Sequence, residues 1–405
     1  MDGCMNIVVV TPFWPRHLGA NGIVTYCDNL VNALKKQGHN VFVLANGGSG
    51  AGDGCIYVNR YKLSLFEKIW VKIGEFFSKG YYEYYFGSRS MLGGIRDIEK
   101  KHKIDVLEIE ESFGWHYFLQ KKVCFPVVMR LHGPHYVNGM IGDKVLTAAD
   151  DNRLKREERA FKAARYVNSP SHWVLNSVQE KYRIKWPLQA VFSNPISLVK
   201  EDGCWSPSSY IKNQILFVGR FDAHKGGDIV VQAFAKVLNK IPDATLVFVG
   251  QDRGIELADG NKMYVNDAVD QYVAADKKAS VNYLGLMNNE VIKELRRTSQ
   301  LTVMASRNEI FGYTVVESLA SAAPIIAPYV GGVKEIIENE VSGVFFQPLD
   351  VNELAEKIIL LLSDPKKLAS LSRCAYARCR ENFSSFLVAE QAVEFYQKSI
   401  SFYDS

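Results

Sequence analysis

The chain has 405 residues, of which 47% are hydrophobic and 23% charged, too long for one ordinary domain and suited to two globular cores. No run of about 18 apolar residues occurs, against a membrane-spanning helix, and the seven cysteines form no Cys-x-x-Cys pair, against structural zinc. Net charge is only +4 but uneven: residues 1–196 hold 26 Lys and Arg against 18 Asp and Glu, the remainder 22 against 26, so the first half is expected to meet an anionic partner. Nucleic acid is disfavoured as that partner, because no basic helix, zinc-finger spacing or aromatic RNA signature occurs.

The opening MDGCMNIVVVTPF enters a strand without an export-signal pattern, which with the cysteine usage predicts a cytoplasmic location. Short apolar runs follow at 6–13, 40–47, 105–111, 126–133 and 166–171. Between the first two, GIVTYCDNLVNALKKQG has Ile23, Cys27, Leu30, Val31 and Leu34 at helical spacing and Gly38 as a stop. The loop GGSGAGDG (47–54) lacks the Gly-Lys-Ser/Thr end of a phosphate cradle and reads as a flexible loop.

The stretch KLSLFEKIWVKIGEFFSKGYYEYYFG (62–87) sets Phe66, Ile69, Trp70, Ile73 and Phe77 in a stripe beside Lys68, Lys72 and Lys79. It predicts a helix with its stripe against a core. The alternatives are a surface helix in peripheral contact with an anionic membrane, or aromatics that line an acceptor sugar groove.

Residues 197–214, rich in polar, Gly and Pro positions, predict an interdomain linker. Apolar runs resume at 215–220, 244–250, 281–286, 301–306, 324–329 and 343–348. Fully apolar short strands separated by helices imply α/β architecture: parallel sheets covered on both faces, in two Rossmann-like doubly wound domains. Such sheets bind ligands beyond the carboxyl ends of their strands.

Three strand ends in the second half carry chemistry. LFVG (Gly219) leads to Arg220 and Lys225, LVFVG ends at Gly250, and VMAS precedes SRNEIFGYTVVES. Arg220 offers a planar fork and Lys225 a mobile point charge for phosphate oxygens. Backbone N–H groups of Phe311, Gly312, Tyr313 and Thr314 open a helix and favour an anion. Glu309 and Glu317 suit hydroxyls rather than phosphate, so the pair is expected to bracket a nucleotide-sugar, one carboxylate at each end. His17, His135 and His224 show no metal spacing, and no metal site is expected.

The order GRFDAHKG, FVGQDRG and EIFGYTVVE closely resembles the retaining glycosyltransferases of family 4, over nearly all of residues 5–385 and most specifically over 215–345. RLHGPH and LKREERAFKAARYVNSPS in the first half agree with it. The resemblance implies the GT-B fold, two such domains facing a cleft: an acceptor-binding domain at 1–200, a donor-binding domain at 210–385, and a final helix at 386–405 crossing back to the first. It implies metal-independent transfer, with no cofactor, of a hexose-type sugar from a nucleoside-diphosphate sugar with retention, UDP-sugar favoured, to a saccharide or lipid-linked acceptor. Cell-surface polysaccharide or glycolipid synthesis, at the inner face of the membrane, would use such a reaction.

By that likeness Glu317 holds the ribose, Arg220 and Lys225 the diphosphate, and Glu309, Ile310 and the following amides the sugar and phosphate. Gly219, Gly250 and Leu286 lie against the nucleotide, Gly22 approaches the diphosphate, and His132 sits near donor sugar and acceptor. The catalytic set is then His132, Arg220, Lys225 and Glu309. One departure stands out: LGANGIVTY has Asn21 where the family often has a second glycine, and the turn is expected to survive there because Asn tolerates left-handed geometry. A sugar-nucleotide epimerase of the same architecture, or a silent partner of another transferase, is the alternative reading.

Overall fold

A computed structural model describes residues 3–15, 21–48, 55–57, 62–137 and 147–405. Of the expected flexible loop at 47–54, Gly47 and Gly48 instead end a strand, because they pair with Phe13 and Trp14, and 49–54 lie outside the described residues, as do His17 and most of the loop before Gly22. The chain divides into two compact units, Met1–Pro195 with Ser385–Ser405, and Ile196–Ser384.

In the first unit, β1 (Asn6–Trp14), β2 (Asn40–Gly48), β3 (Cys55–Tyr57), β4 (Val106–Glu110), β5 (Val127–Arg130), β6 (Tyr166–Ser169) and β7 (Leu188–Val191) form one parallel sheet. Its order is β3-β2-β1-β4-β5-β6-β7. Every residue of β4, β5 and β6 is buried, the burial that apolar runs with helices on both faces require. The three-residue β3 and the partly polar β7 gave no apolar run to detect.

Helix Gly22–Lys36 follows β1, and Asn21 sits at its N-terminus with φ −146°, extended rather than left-handed. Its side-chain Oδ1 accepts from the Ile23 N–H at 2.8 Å. The expectation of a left-handed turn at Asn21 is therefore corrected: the side chain caps the helix, a role Asn fills well. Helix Ser385–Asp404 belongs to this unit, with Tyr396 and Ala392 fully buried.

The stripe at 65–77 differs from its core-facing expectation. Helix Leu65–Phe77 buries Val71, while Leu65, Phe66, Ile69, Trp70, Ile73, Phe76 and Phe77 are exposed. The narrower opposite face docks on the next helix, Tyr81–Glu99, where Gly74 lies against the Tyr81 ring. That contact uses a glycine and a valine, so the large side chains are left outside.

In the second unit, β8 (Ile211–Val218), β9 (Thr245–Val249), β12 (Val281–Gly285), β13 (Ser299–Val303), β14 (Ile325–Pro328) and β15 (Val344–Phe346) form a parallel sheet in the order β12-β9-β8-β13-β14-β15. A small antiparallel pair, β10 (Ile255–Glu256) and β11 (Lys262–Met263), lies outside it. The expected linker at 197–214 is corrected too. Val199 N–H bonds the Ala320 carbonyl, Trp205 is buried in the core with Nε1 on the Ser299 carbonyl at 2.9 Å, and β8 already starts at Ile211. One indole supplies enough apolar area to pin an otherwise polar segment. Among the described residues, no helix is long and apolar enough to cross a membrane.

Candidate active site

Because β12, β9, β8, β13 and β14 are parallel neighbours, their carboxyl-terminal loops lie side by side along one edge of the second sheet. Leu286 follows β12 and is exposed; Gly250 follows β9; Gly219 to Lys225 follow β8; Ser306 to Thr314 follow β13. The backbones interlock closely. A Cβ on Gly250 would stand 1.9 Å from the Gly219 carbonyl oxygen, and one on Gly226 (φ +68°) 2.0 Å from that of Ala305. Only glycine fits at either place.

Within this edge, Arg220 Nε donates to Asp222 Oδ2 at 2.5 Å, and the Lys225 N–H to Oδ1 of the same carboxylate at 2.9 Å. Burial works to raise the Asp222 carboxyl, but the Arg220 and Lys225 bonds outweigh it and hold it below its ordinary value. The Lys225 ammonium reaches across to Glu309 Oε2 at 2.7 Å. Burial again opposes ionisation of Glu309, and Lys225 with His224 overcomes it, leaving the carboxyl below the usual glutamate range. Lys225 and Glu309, expected to share a site, are therefore directly paired, with side chains 23% and 14% exposed.

Helix Tyr313–Ala320 starts at Gly312 (φ +99°) with no side-chain cap, so its positive end faces this edge beside Glu309. Phe311 is buried beneath it, and Ile310 is half-buried. The Gly332 N–H donates to the Glu309 carbonyl at 3.1 Å, which braces the segment from the β14 side.

Glu317, on the same helix, meets a partner not foreseen from the sequence. Arg296 donates to its Oε2 at 2.6 Å; the guanidinium side chain is 4% exposed and the carboxylate 27%. Arg307 was missed as well. It forks onto Asp228 at 2.7 and 3.1 Å and donates to the Ala223 carbonyl at 2.6 Å, tying the β13 loop to the β8 loop. The signal for these pairs is weak, since each joins residues tens of positions apart.

In the first unit, His132 and Gly133 follow β5, and their N–H groups donate to the two oxygens of Glu111 at 2.9 and 2.7 Å. Burial, with Glu110 adding to it, pushes the Glu111 carboxyl up to about 8. The His132 ring meets Tyr26 edge-on at 4.8 Å. Burial and the Arg130 cation hold His132 well below the ordinary imidazole value, so it is neutral at physiological pH. Gly22 begins the helix that carries Tyr26 and is exposed.

Beneath His132 lies a buried polar network. Glu108 accepts from Tyr26 at 2.7 Å, and from Asn168 and Tyr396 at 2.9 Å each. Arg130 donates to Asn168, the Phe192 carbonyl and Asn194, and lies over the Tyr26 ring at 4.5 Å. Burial, then Glu108, pushes both phenols well above their ordinary values, so they remain donors. Among the described residues, no cluster of three or more His, Cys, Asp and Glu is placed to hold a metal ion.

Two parallel-sheet α/β units with charged loops at their strand ends have the architecture of the GT-B fold, and the comparisons supply the family. The family model for Glycosyltransferase Family 4 matches residues 20–200, and that for Glycosyl transferases group 1 matches residues 208–378. The chain belongs to these glycosyltransferases, which between them account for most of its length. It is 23% identical to N-acetyl-alpha-D-glucosaminyl L-malate synthase of Bacillus anthracis over 92% of each chain. Its fold matches sucrose-phosphate synthase of Thermosynechococcus elongatus with TM-score 0.72 at 19% identity, covering 98% of this chain and 99% of that one. It also matches Anabaena HepE in complex with UDP-glucose with TM-score 0.69 at 17% identity, covering 97% and 100%.

Proposed function

We propose that this glycosyltransferase moves a hexose-type sugar from a nucleoside-diphosphate sugar, a UDP-sugar in the first instance, to a saccharide or lipid-linked acceptor with retention at the anomeric carbon and without a metal ion. The observation that carries this reading is the Lys225–Glu309 pair, which sets a cation and a carboxylate beside an uncapped helix start. Arg220 and Lys225 face the diphosphate together with the amides of Phe311 to Thr314. Glu309 takes sugar hydroxyls, and Glu317 offers the ribose the oxygen that Arg296 leaves. Gly219, Gly250 and Leu286 lie along the nucleotide.

The anomeric carbon–oxygen bond breaks with its electron pair passing to the diphosphate, while an acceptor hydroxyl oxygen bonds to that carbon and its proton passes to the departing phosphate oxygen. Arg220 and Lys225 meet that growing charge, which preorganised donors stabilise more in the transition state than in the ground state. Neutral His132, in the acceptor-side unit, suits a hydrogen bond to a sugar hydroxyl. The UDP-glucose complex of HepE supports a UDP-sugar donor, and seven free cysteines fit a reducing, cytoplasmic setting.

Incubation with UDP-, GDP- and ADP-sugars tests the reading. Slow release of nucleoside diphosphate, unchanged by chelator, and an anomer-retaining product once acceptor is supplied are the expected results. Isomerised nucleotide-sugar would mean an epimerase instead, and activity lost to chelator and restored by magnesium would overturn the metal-free mechanism.

A further inference from the structure

We propose that helix Leu65–Phe77 docks the protein on an anionic lipid bilayer, lying in the interface with its outer face among the lipids. On an ideal helix, at about 100° per residue, Leu65, Phe66, Ile69, Trp70, Ile73, Phe76 and Phe77 occupy one arc of roughly 140°. All seven are exposed, from 44% at Ile73 to 81% at Phe76. A monomer in water rarely presents so many large apolar side chains side by side, so the face has an occupant.

Charge identifies that occupant. Lys68 and Lys72 border the apolar arc on the helix, and Lys62 and Lys79 lie at its two ends, all four exposed. The carboxylates of the same segment are drawn inward. Glu67 accepts from Ser64 in the helix cap and from Tyr85, and Glu75 accepts from the N–H groups of Gly80 and Tyr82. Glu83 is the remaining carboxylate between 62 and 83 and is exposed. Aromatic and aliphatic residues on one side with lysines along the rim suit anionic headgroups above acyl chains. Trp70 adds an amphipathic ring of the kind that settles at the headgroup level.

The helix is held firmly enough to bear the load. Ser64 and Glu67 form a reciprocal cap at its start. At its end, Arg156 donates to Ser78 at 3.2 Å and Asn152 to the Lys79 carbonyl at 3.5 Å. Arg156 and Asn152 lie on helix Ala148–Ala163, whose Asp150 bonds His135 and whose Glu157 accepts from the Phe113 and His135 N–H groups. Those are the loops after β4 and β5, so the docking face is braced on the elements that hold His132. The bilayer would then lie on the acceptor side of the first unit. The docking goes beyond the sugar-transfer reading and does not depend on it.

Co-sedimentation of the full chain with phosphatidylcholine vesicles, with and without phosphatidylglycerol, tests it. The protein is expected to pellet with the anionic vesicles at low salt and to release at high salt, where surface attraction is screened. Phe66→Ser, Phe76→Ser and Phe77→Ser should each weaken binding about tenfold, with the thermal midpoint held because these rings are 73% to 81% exposed. Lys68→Gln with Lys72→Gln should remove the preference for anionic lipid, and brominated lipid should quench fluorescence in the parent but less in Trp70→Phe. Equal recovery in the supernatant with both vesicle types at low salt would overturn the proposal. So would a stable dimer in light scattering that Phe76→Ser splits, since a second copy would then cover the face. Loss of vesicle binding with donor hydrolysis intact, or the reverse, separates docking from the transferase reading.

Discussion

The carboxyl edges of the two sheets use charge in opposite ways. In the first unit, Arg130 is wholly buried and spends its donors on Asn168, Asn194 and a carbonyl, while Glu108 takes three donors from the protein itself. In the second, Arg220, Lys225, Glu309 and Glu317 reach solvent, and each side chain is held by one oppositely charged neighbour. A buried charge whose bonds go to the protein itself is scaffold, because any ligand would have to displace those bonds in a low-dielectric site. A charge held by one partner keeps bonding capacity for a ligand.

The contrast breaks first at Arg130. Arg130→Leu should lower stability by about 3–5 kcal/mol, since it strands three buried acceptors, one on β6 and two just after β7, with a matching fall in the denaturation midpoint. A variant as stable as the parent would show that the first edge is not a scaffold.

Lys225→Ala should leave the fold in place and lower turnover by about 10²–10³, read in steady-state kinetics against donor. It should also change the pH dependence of stability. In the parent, Glu309 is held below its ordinary value, so its contribution is present above the unfolded value of 4.5 and is lost as pH falls through the lower folded value. Without Lys225, burial raises that carboxyl, and stability should instead improve as pH is lowered through the raised value. Unchanged turnover and an unchanged pH profile would remove Lys225 from both roles.

Glu317→Gln sharpens the comparison further. Its single amide oxygen is expected to stay on Arg296, leaving an NH₂ group where the donor met an acceptor. Nucleoside-diphosphate affinity should fall by about 1.5–3 kcal/mol with turnover at saturating donor little changed, because a remote contact is alike in ground and transition states. Normal affinity by calorimetry would take the ribose away from Glu317. The smallest effect is expected in the first unit: Asn21→Ala removes the helix cap at a cost of about 1 kcal/mol, detectable as a small shift in thermal midpoint.

The sequence by itself determined the alternation of apolar strands and helices, the parallel sheets, and the loops of the second half that share an edge. Those follow from local periodicity, and parallel connectivity then brings consecutive strand ends to one side whatever the details. Lys225 and Glu309 were legible for the same reason, since each stands just beyond an apolar run. The tertiary structure decided what those patterns touch. Arg296 and Arg307 were hidden because their partners, Glu317 and Asp228, are distant in the chain and nothing in local spacing marks a long-range ion pair. Trp205 turned an apparent linker into part of a core because one buried indole outweighs the polar residues around it. At residues 65–77 the periodicity located a helix and its apolar arc, but an arc has no direction of its own. The small Gly74–Val71 face fitted its neighbour, and the large side chains were left facing out.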